Sequence, residues 1–182
     1  MLPKIFTIII IFFTFSIFSG CDEGKIIPQA INENLNIENF PNHISWNIEV
    51  IFVDSSYTKA ILKAKRARIY DKIGMTLLDS GLQVEFMSKQ SKKRISLLIA
   101  DSAEIEDKTK NMIARGNVVV TSDSSFSKLE TTSLQWNNTT QKIYSTDFVK
   151  ITTPTETIQG WGFESDQYLI NYKIFRVSGV KK

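Results

Sequence analysis

The sequence predicts an all-β fold: a sandwich, barrel or roll built from repeated hairpins. Two short units recur along the chain in alternation. Turn-forming residues follow one another at intervals of about ten residues, which is typical of all-β domains. Apolar residues alternate at period 2, and no amphipathic helix of ordinary length follows the N-terminal segment. Such repetition favours a stacked architecture, in which each copy buries its apolar face against its neighbours.

The first unit occurs three times. Ile113–Val120 aligns with Ile143–Lys150 at an offset of 30, and Leu78–Val84 aligns with the first of these at an offset of 35. Gly81 and Gly116 then occupy matching positions, which predicts a bulge or corner with positive φ before each valine-rich strand. The copies of the second unit are Ala64–Ile69, Ala100–Ile105 and Thr131–Trp136.

Strand-forming residues, rich in Ile, Val and Thr, begin after a polar segment. In the first strand Trp46, Ile48, Val50 and Phe52 are expected to share one face. Ile69–Leu78 is compatible with one helical turn. The predicted strands are Ser45–Val53, Thr58–Tyr70, Leu82–Met87, Arg94–Glu106, Asn111–Thr121, Lys128–Trp136, Lys142–Thr152, Thr157–Phe163 and Tyr168–Val177.

The N-terminus is typical of an exported protein. Lys4 precedes the uncharged run Ile5–Phe18, and small residues precede Cys21, so residues 1–20 are predicted to be a signal peptide. The sequence before Cys21 resembles a bacterial lipobox, which predicts lipidation of that cysteine. The alternative is an uncleaved anchor, although the run is shorter than a membrane-spanning helix requires. Residues 21–44 are predicted to be a flexible tether, residues 45–178 the folded domain and residues 179–182 a tail.

The composition argues against an enzyme. Cys21 is the single cysteine and His43 the single histidine, so neither a disulfide nor a transition-metal site is expected, and no cofactor is predicted. A histidine in a tether lacks the packing that fixes a catalytic base. Gly160-Trp161-Gly162 lacks the glycines and the helix of a phosphate-binding loop. The formal net charge of +3 is too small to predict nucleic-acid binding.

Two basic clusters have two interpretations. They are either solvated edges that protect strands from aggregation or contacts for the phosphates of an anionic lipid or for a partner protein. The clusters are Lys59, Lys63, Lys65, Arg66 and Arg68, and Lys89, Lys92, Lys93 and Arg94.

Four segments in order resemble the OstA-like repeat of lipopolysaccharide-export proteins. They are Met112–Val120, Leu129–Trp136, Gln141–Val149 and Ile158–Asp166. Together with the N-terminal anchor, the order is similar to the LptC family, particularly its lipoprotein-type members from the Bacteroidetes group. The likeness runs from about Trp46 to Val177.

The resemblance implies a twisted, partly open antiparallel β-jellyroll that holds lipopolysaccharide acyl chains between its sheets. It also implies a periplasmic protein, anchored to the inner membrane as a lipoprotein, that accepts lipopolysaccharide from the inner-membrane ABC exporter. The expected protein partners are the periplasmic domains of LptF and LptG and an LptA-like bridge protein, joined edge to edge by strand addition. No nucleic-acid partner is expected.

Alternation along the strands gives candidate residues for a lipid-binding groove, although the same residues could form a closed core. The candidates are Leu97, Ile99, Ile105, Val118, Val120, Leu134, Trp136, Phe148 and Phe163. Trp46 and Trp161 are expected at rims or ends. The expected partner edges are Ile48, Val50 and Phe52 on the first strand and Ile170 and Ile174 on the last. The alternative function is an adaptor lipoprotein with a closed core; an envelope hydrolase is disfavoured because its residues are missing.

Overall fold

The computed structural model describes residues 40–181 apart from residue 55, and these residues form a single antiparallel sheet. The predicted all-β fold is confirmed. The signal peptide, Cys21 and the tether up to residue 39 lie outside the described residues. The strands are β1 His43–Asp54, β2 Tyr57–Tyr70, β3 Met75–Met87, β4 Arg94–Ala100, β5 Ser102–Glu106, β6 Met112–Ser122, β7 Lys128–Asn137, β8 Lys142–Thr152, β9 Thr157–Asp166 and β10 Lys173–Lys181.

The strands follow one another across the sheet almost in chain order. The hydrogen-bonded order is β1-β2-β3-β4-β6-β7-β8-β9-β10, with β5 paired to β3 and β6 in line with β4. Such a meander needs only short turns, because each antiparallel strand begins where the previous one ends. β1 pairs only with β2 and β10 only with β9, so within the described chain the sheet keeps two free edges.

Four predicted boundaries are corrected. The segment Arg94–Glu106 is interrupted at Asp101, so it forms β4 and β5 rather than one strand. The segment Ile69–Leu78, predicted as one helical turn, contains a tight turn at residues 71–74, and β3 begins directly after it at Met75. β1 begins at His43, inside the predicted tether. The last strand runs from Lys173 to Lys181, so it includes most of the predicted tail, and the residues before it form a turn rather than strand.

A line of irregularities crosses the sheet, which we call the crease. Strand pairing shifts there between Ala64 and Arg66, between Arg115 and Val118 and between Ser145 and Phe148, and the β4–β5 break falls on the same line. Bulges bend a strand and increase its twist. Because they are aligned across neighbouring strands, they bend the whole sheet.

The two repeated units of the sequence are the two kinds of strand that cross the crease. Copies of the first unit lie on β3, β6 and β8, where the buried positions on either side of the crease are four positions apart, as in Leu78 and Leu82. Copies of the second unit lie on β2, β4–β5 and β7, where they are only three positions apart, as in Ala100 and Ala103. Every second strand therefore carries the extra residue of a bulge.

Backbone conformation and polar contacts hold the crease. Gly81 has φ of +95° and Gly116 of +74°, as the matching glycines predicted. The Gly81 N–H donates to the Asp101 carbonyl at 3.0 Å, and the Asp101 N–H donates to the Gly116 carbonyl at 3.0 Å. Asn117 Nδ2 donates to the Asp101 carboxylate at 2.7 Å. On the next pair of strands, Thr132 Oγ1 donates to Asp147 at 2.7 Å.

One face of the bent sheet is buried and forms a continuous apolar core. Its side chains alternate with exposed residues along each strand, as in Ala60, Leu62 and Ala64 of β2. Phe86 of β3 and Trp136 of β7 lie on strands that are not neighbours in the sheet, yet their ring centroids are 4.8 Å apart. The sheet therefore folds over on its own apolar face. The largest fully buried side chains are Phe86, Phe163, Leu62, Leu78, Leu98, Leu129, Leu134, Ile143, Ile151, Leu169, Val118 and Val120.

Gly116→Ala should test the crease. A Cβ at residue 116 would lie 2.5 Å from Asp101 Oδ2, whereas one at Gly81 would have no atom within 4 Å. Both alanines would occupy a positive φ, so Gly81→Ala is the matched control for backbone strain alone. We expect about 1 kcal/mol of destabilisation at residue 81 and about 2–3 kcal/mol at residue 116, measured by urea unfolding. Equal losses would show that the Asp101 contact does not matter.

Candidate functional site

The apolar interior is the principal candidate for a binding site. Six of the nine predicted groove residues face it and are almost fully buried. Neighbouring strands place them side by side, since Ile105 pairs with Met112, which in turn pairs with Trp136. Those six are Ile105, Val118, Val120, Leu134, Trp136 and Phe163.

The other three predicted groove residues lie on the opposite face of the sheet. Leu98 and Ala100 of β4 are buried, so Leu97 and Ile99 point away from the interior, and Ile99 is 47% exposed. Phe148 is 37% exposed because its neighbour Val149 takes the inward position. β4 is apolar on both faces, so period 2 did not show which alternate set faces the core. At Phe148 the bulge shifts the alternation by one residue.

A turn closes one end of the interior. Leu169, in the turn before β10, is 1% exposed although neither of its neighbours is buried. The Tyr168 carbonyl accepts hydrogen bonds from Ser122 Oγ at 2.6 Å and Ser125 Oγ at 3.0 Å, which ties this turn to the β6–β7 turn. Burial, with a smaller contribution from Glu156, raises the pKa of Tyr172 above its usual value.

The other end is a narrow mouth. It encloses a cavity of about 20 Å³ between the early strands and the later strands, with the Phe86–Trp136 ring contact in its wall. This space holds about one water molecule. Lys59 and Lys110 also line it, and Lys59 Nζ donates to the Asn138 carbonyl at 3.1 Å and to Asn138 Oδ1 at 3.0 Å. The mouth is thus apolar inside, with two lysines among the residues that line it.

Along β1 the interior is incompletely covered. Ile48 and Phe52 pack against the core but remain half-buried, and Val50 is exposed. These three predicted edge residues therefore form an apolar margin of the interior. Trp46 does not share their face, contrary to expectation: positive φ at Asn47 turns the chain, and Trp46 instead covers the Arg66 guanidinium at 5.4 Å.

The last strand presents a different edge. Ile174 packs partly against the core, whereas Ile170 lies in the preceding turn and is exposed. Ile170 therefore cannot contribute to the β10 edge itself. On the outer face Trp161 makes an edge-to-face contact with Phe148, with centroids 5.5 Å apart, and Phe175 lies exposed on β10.

Charged residues lie on the outer face. Arg66 Nε donates to Asp79 Oδ1 at 2.5 Å, and Arg68 lies 2.9 Å from the other carboxylate oxygen. The hydrogen bond from Arg66 is the main reason why the pKa of Asp79 lies below its usual value. The Lys128 hydrogen bond likewise lowers the pKa of Glu130, and the Lys142 hydrogen bond lowers that of Glu164. These ion pairs join neighbouring strands, or residues two positions apart on one strand. Such pairs stabilise the sheet and do not form a catalytic site.

Catalytic or metal-binding geometry is not found in the described residues. His43 stands at the start of β1, exposed, with Nε2 3.8 Å from an Asp71 carboxylate oxygen. Among residues 40–181 apart from residue 55, no three His, Cys, Asp or Glu side chains cluster as metal ligands. No helix in the same part of the chain is long and apolar enough to cross a membrane.

Local sequence patterns did not indicate the site roles of Leu169 and Lys59. Leu169 follows a turn signal, Asp166-Gln167-Tyr168, and nothing in a local pattern distinguishes a buried leucine in a turn from an exposed one. Lys59 belonged to a predicted basic cluster, but its contact with Asn138 spans 79 residues. Periodicity identifies faces of strands and cannot identify contacts across a bent sheet.

The fold is that of a lipopolysaccharide-transport jellyroll. It is similar to the crystal structure of LptH, the LptA-homologous periplasmic component of the lipopolysaccharide transport device from Pseudomonas aeruginosa. The TM-score is 0.51 at 15% sequence identity, covering 64% of this chain and 82% of that one. No curated protein matches the sequence.

The family model of the lipopolysaccharide-assembly, LptC-related proteins matches residues 8–169, and the chain belongs to that family. The predicted family resemblance and the jellyroll fold are confirmed. The protein therefore has a role in lipopolysaccharide transport and is not an enzyme.

Asp79 gives a pH-dependent prediction. Because its pKa is lowered in the folded state, the Arg66 contact stabilises the fold above the unfolded pKa of about 3.9 and is lost as the pH falls through the folded value. Asp79→Asn should lower the thermal midpoint at pH 7 and reduce its fall between about pH 4 and pH 2. Asp71→Asn, at an exposed turn, is the control. An unchanged pH profile for Asp79→Asn would contradict this assignment.

Proposed function

We propose that the protein accepts lipopolysaccharide from the inner-membrane ABC exporter and passes it to the next jellyroll of a trans-envelope bridge. The observation that carries the proposal is the unclosed sheet of a family member, folded over one apolar face, with β1 leaving that face partly uncovered. Acyl chains would lie against this face while the sugar and phosphate head projects outward.

The energetics suit a carrier. Each methylene removed from water contributes about 0.8 kcal/mol, so a few exposed apolar side chains offer substantial affinity for an acyl chain. We call the early strands and the later strands, which face each other across the apolar interior, the two layers. Side chains fill the interior, and the mouth cavity is only about 20 Å³. Binding therefore requires the layers to separate, which costs packing energy and keeps the net affinity for lipid low enough for onward transfer.

The filled interior also favours a second candidate: an adaptor that binds proteins but no lipid. It shares the fold and the free edges and differs only in whether the layers ever part. Direct detection of lipid at the interior margin separates the two functions.

Site-specific photocrosslinking should detect lipid at Phe52 and not at Ile51. The two residues are adjacent on β1, but Phe52 packs against the core and Ile51 is 53% exposed on the other face. A photoreactive residue at each position, expressed in cells making lipopolysaccharide, should give lipid adducts only at Phe52. Leu134 and Phe148 form a second inward and outward pair. Adducts at neither inward position would favour the adaptor.

We also propose that the partner proteins between which lipopolysaccharide is transferred bind to the two free edges of the sheet. β1 would meet the periplasmic domains of the exporter, LptF and LptG, and β10 would meet an LptA-like bridge protein. Each terminal strand has a neighbour on one side only, and an edge strand can add another strand through its backbone hydrogen bonds. Exposed Val177 and Val180 on β10 give such a partner apolar side chains to contact.

Proline scanning at Ile174 and Phe175 tests the β10 edge. Neighbouring N–H groups of a strand point to opposite sides, so one of the two prolines removes an outward N–H and leaves the β9 pairing intact. That variant should keep the wild-type thermal midpoint and lose binding to the LptA-like partner. Phe175→Ala, which keeps every backbone N–H and shortens an exposed side chain, is the control. Full binding by both β10 variants would exclude this edge.

For localisation we propose a lipoprotein anchored to the inner membrane through Cys21. The support is the sequence alone: a basic start, an apolar run and small residues before the only cysteine. Two or more acyl chains would give stable attachment. Cys21→Ser should then move the protein from the membrane fraction to the soluble periplasmic fraction if the signal peptide is still cleaved, and should have no effect if the segment is an uncleaved anchor.

A further inference from the structure

The mouth of the interior combines an apolar cavity with two lining lysines, one of which, Lys59, bonds to a neutral partner. Lys59 hydrogen bonds to two oxygens of Asn138, and both are amide oxygens without charge. The ion pairs of the described residues, such as that between Lys63 and Glu49, do not include Lys59 or Lys110. Hydrogen bonds between two charged groups are stronger than those to a neutral acceptor.

The Lys59–Asn138 contact is also a bridge across the mouth. Lys59 stands near the start of β2 and Asn138 in the turn after β7, so the contact joins the two layers that would have to part. The Phe86–Trp136 contact lies beside it in the same cavity wall. We call the Lys59–Asn138 pair the latch.

Asn138 keeps its place without Lys59. Its N–H donates to Asn111 Oδ1 at 3.0 Å and its Nδ2 donates to the Thr109 carbonyl at 3.1 Å. Its carbonyl also accepts from Gln141 Nε2 at 3.1 Å. Release of Lys59 therefore leaves the Asn138 carbonyl with a hydrogen-bond donor, so opening the latch does not leave this acceptor unpaired.

We propose that Lys59 is a phosphate-responsive latch of the interior. A phosphate monoester on an acylated glycolipid would draw the Lys59 ammonium from Asn138, with Lys110 as a second positive group at the same mouth. Exchange of a neutral acceptor for a charged one offsets part of the cost of parting the layers. The acyl chains then enter beside Phe52 and Trp136. This inference rests on the proposed function, because it assigns the recognition step of the same lipid site.

The test compares two probes on the purified full-length protein: the bisphosphorylated lipid moiety of lipopolysaccharide and the same lipid after phosphatase treatment. The variants are Lys59→Met, which keeps an apolar stem of similar length, and Lys65→Met as the control on an exposed position of the same strand. Dissociation constants are measured with radiolabelled lipid retained on immobilised protein. Inorganic phosphate serves as a competitor.

Wild type and Lys65→Met should bind the phosphorylated lipid about tenfold more tightly than the dephosphorylated one, the ratio expected for one charged hydrogen bond. Lys59→Met should reduce that ratio to near one, chiefly by weakening the binding of the phosphorylated lipid. Inorganic phosphate should not displace the lipid at equal concentration, because it lacks acyl chains; displacement would mean a free-phosphate site and overturn the proposal.

Trp136 provides a second readout. With Trp46→Phe and Trp161→Phe as background it is the only tryptophan, and its emission should shift when the mouth opens. Lipid binding with the same ratio in wild type and Lys59→Met would leave the carrier function standing and refute the latch. Absence of binding by both lipids to every protein would refute the carrier function itself.

Discussion

The bend of the sheet along the crease is the constraint on which the rest of the structure depends. Ten strands in nearly sequential order make a wide sheet with one apolar face, and such a face must be covered. No helix in the described chain is available to cover it. The sheet therefore covers itself, and the aligned bulges and the β4–β5 break let the strands between β2 and β9 turn at the same level.

Self-coverage has a functional consequence, because a sheet that folds onto itself without pairing its first and last strands has both an interior and two edges. In the proposed function, the interior exchanges protein contacts for lipid contacts of similar chemistry. The edges can exchange water for another strand. A closed barrel would satisfy its edges and could not add another strand. Membership of the lipopolysaccharide-assembly family agrees with a sheet that stays unclosed and keeps two free edges.

The two ends of the interior differ in how they are held. At one end Leu169 is inserted among core side chains and its turn is tied by serine hydroxyls, which form short hydrogen bonds to a carbonyl. At the other end the layers are joined by a lysine and the amide oxygens of an asparagine. Withdrawing a buried leucine exposes apolar surface, whereas a lysine released into solvent remains hydrated. The mouth is thus the end at which parting costs less.

The sequence by itself determined the fold class, the repeated units, the positive-φ glycines and the absence of catalytic chemistry, because each depends on local composition and period. It also placed Val118, Val120 and Leu134 correctly on the buried face, since each follows its neighbours in alternation. Only the tertiary structure decided the face of Leu97, Ile99 and Phe148 and the role of Leu169. A one-residue bulge reverses the alternation, and contacts across a bent sheet join residues that are far apart in the chain.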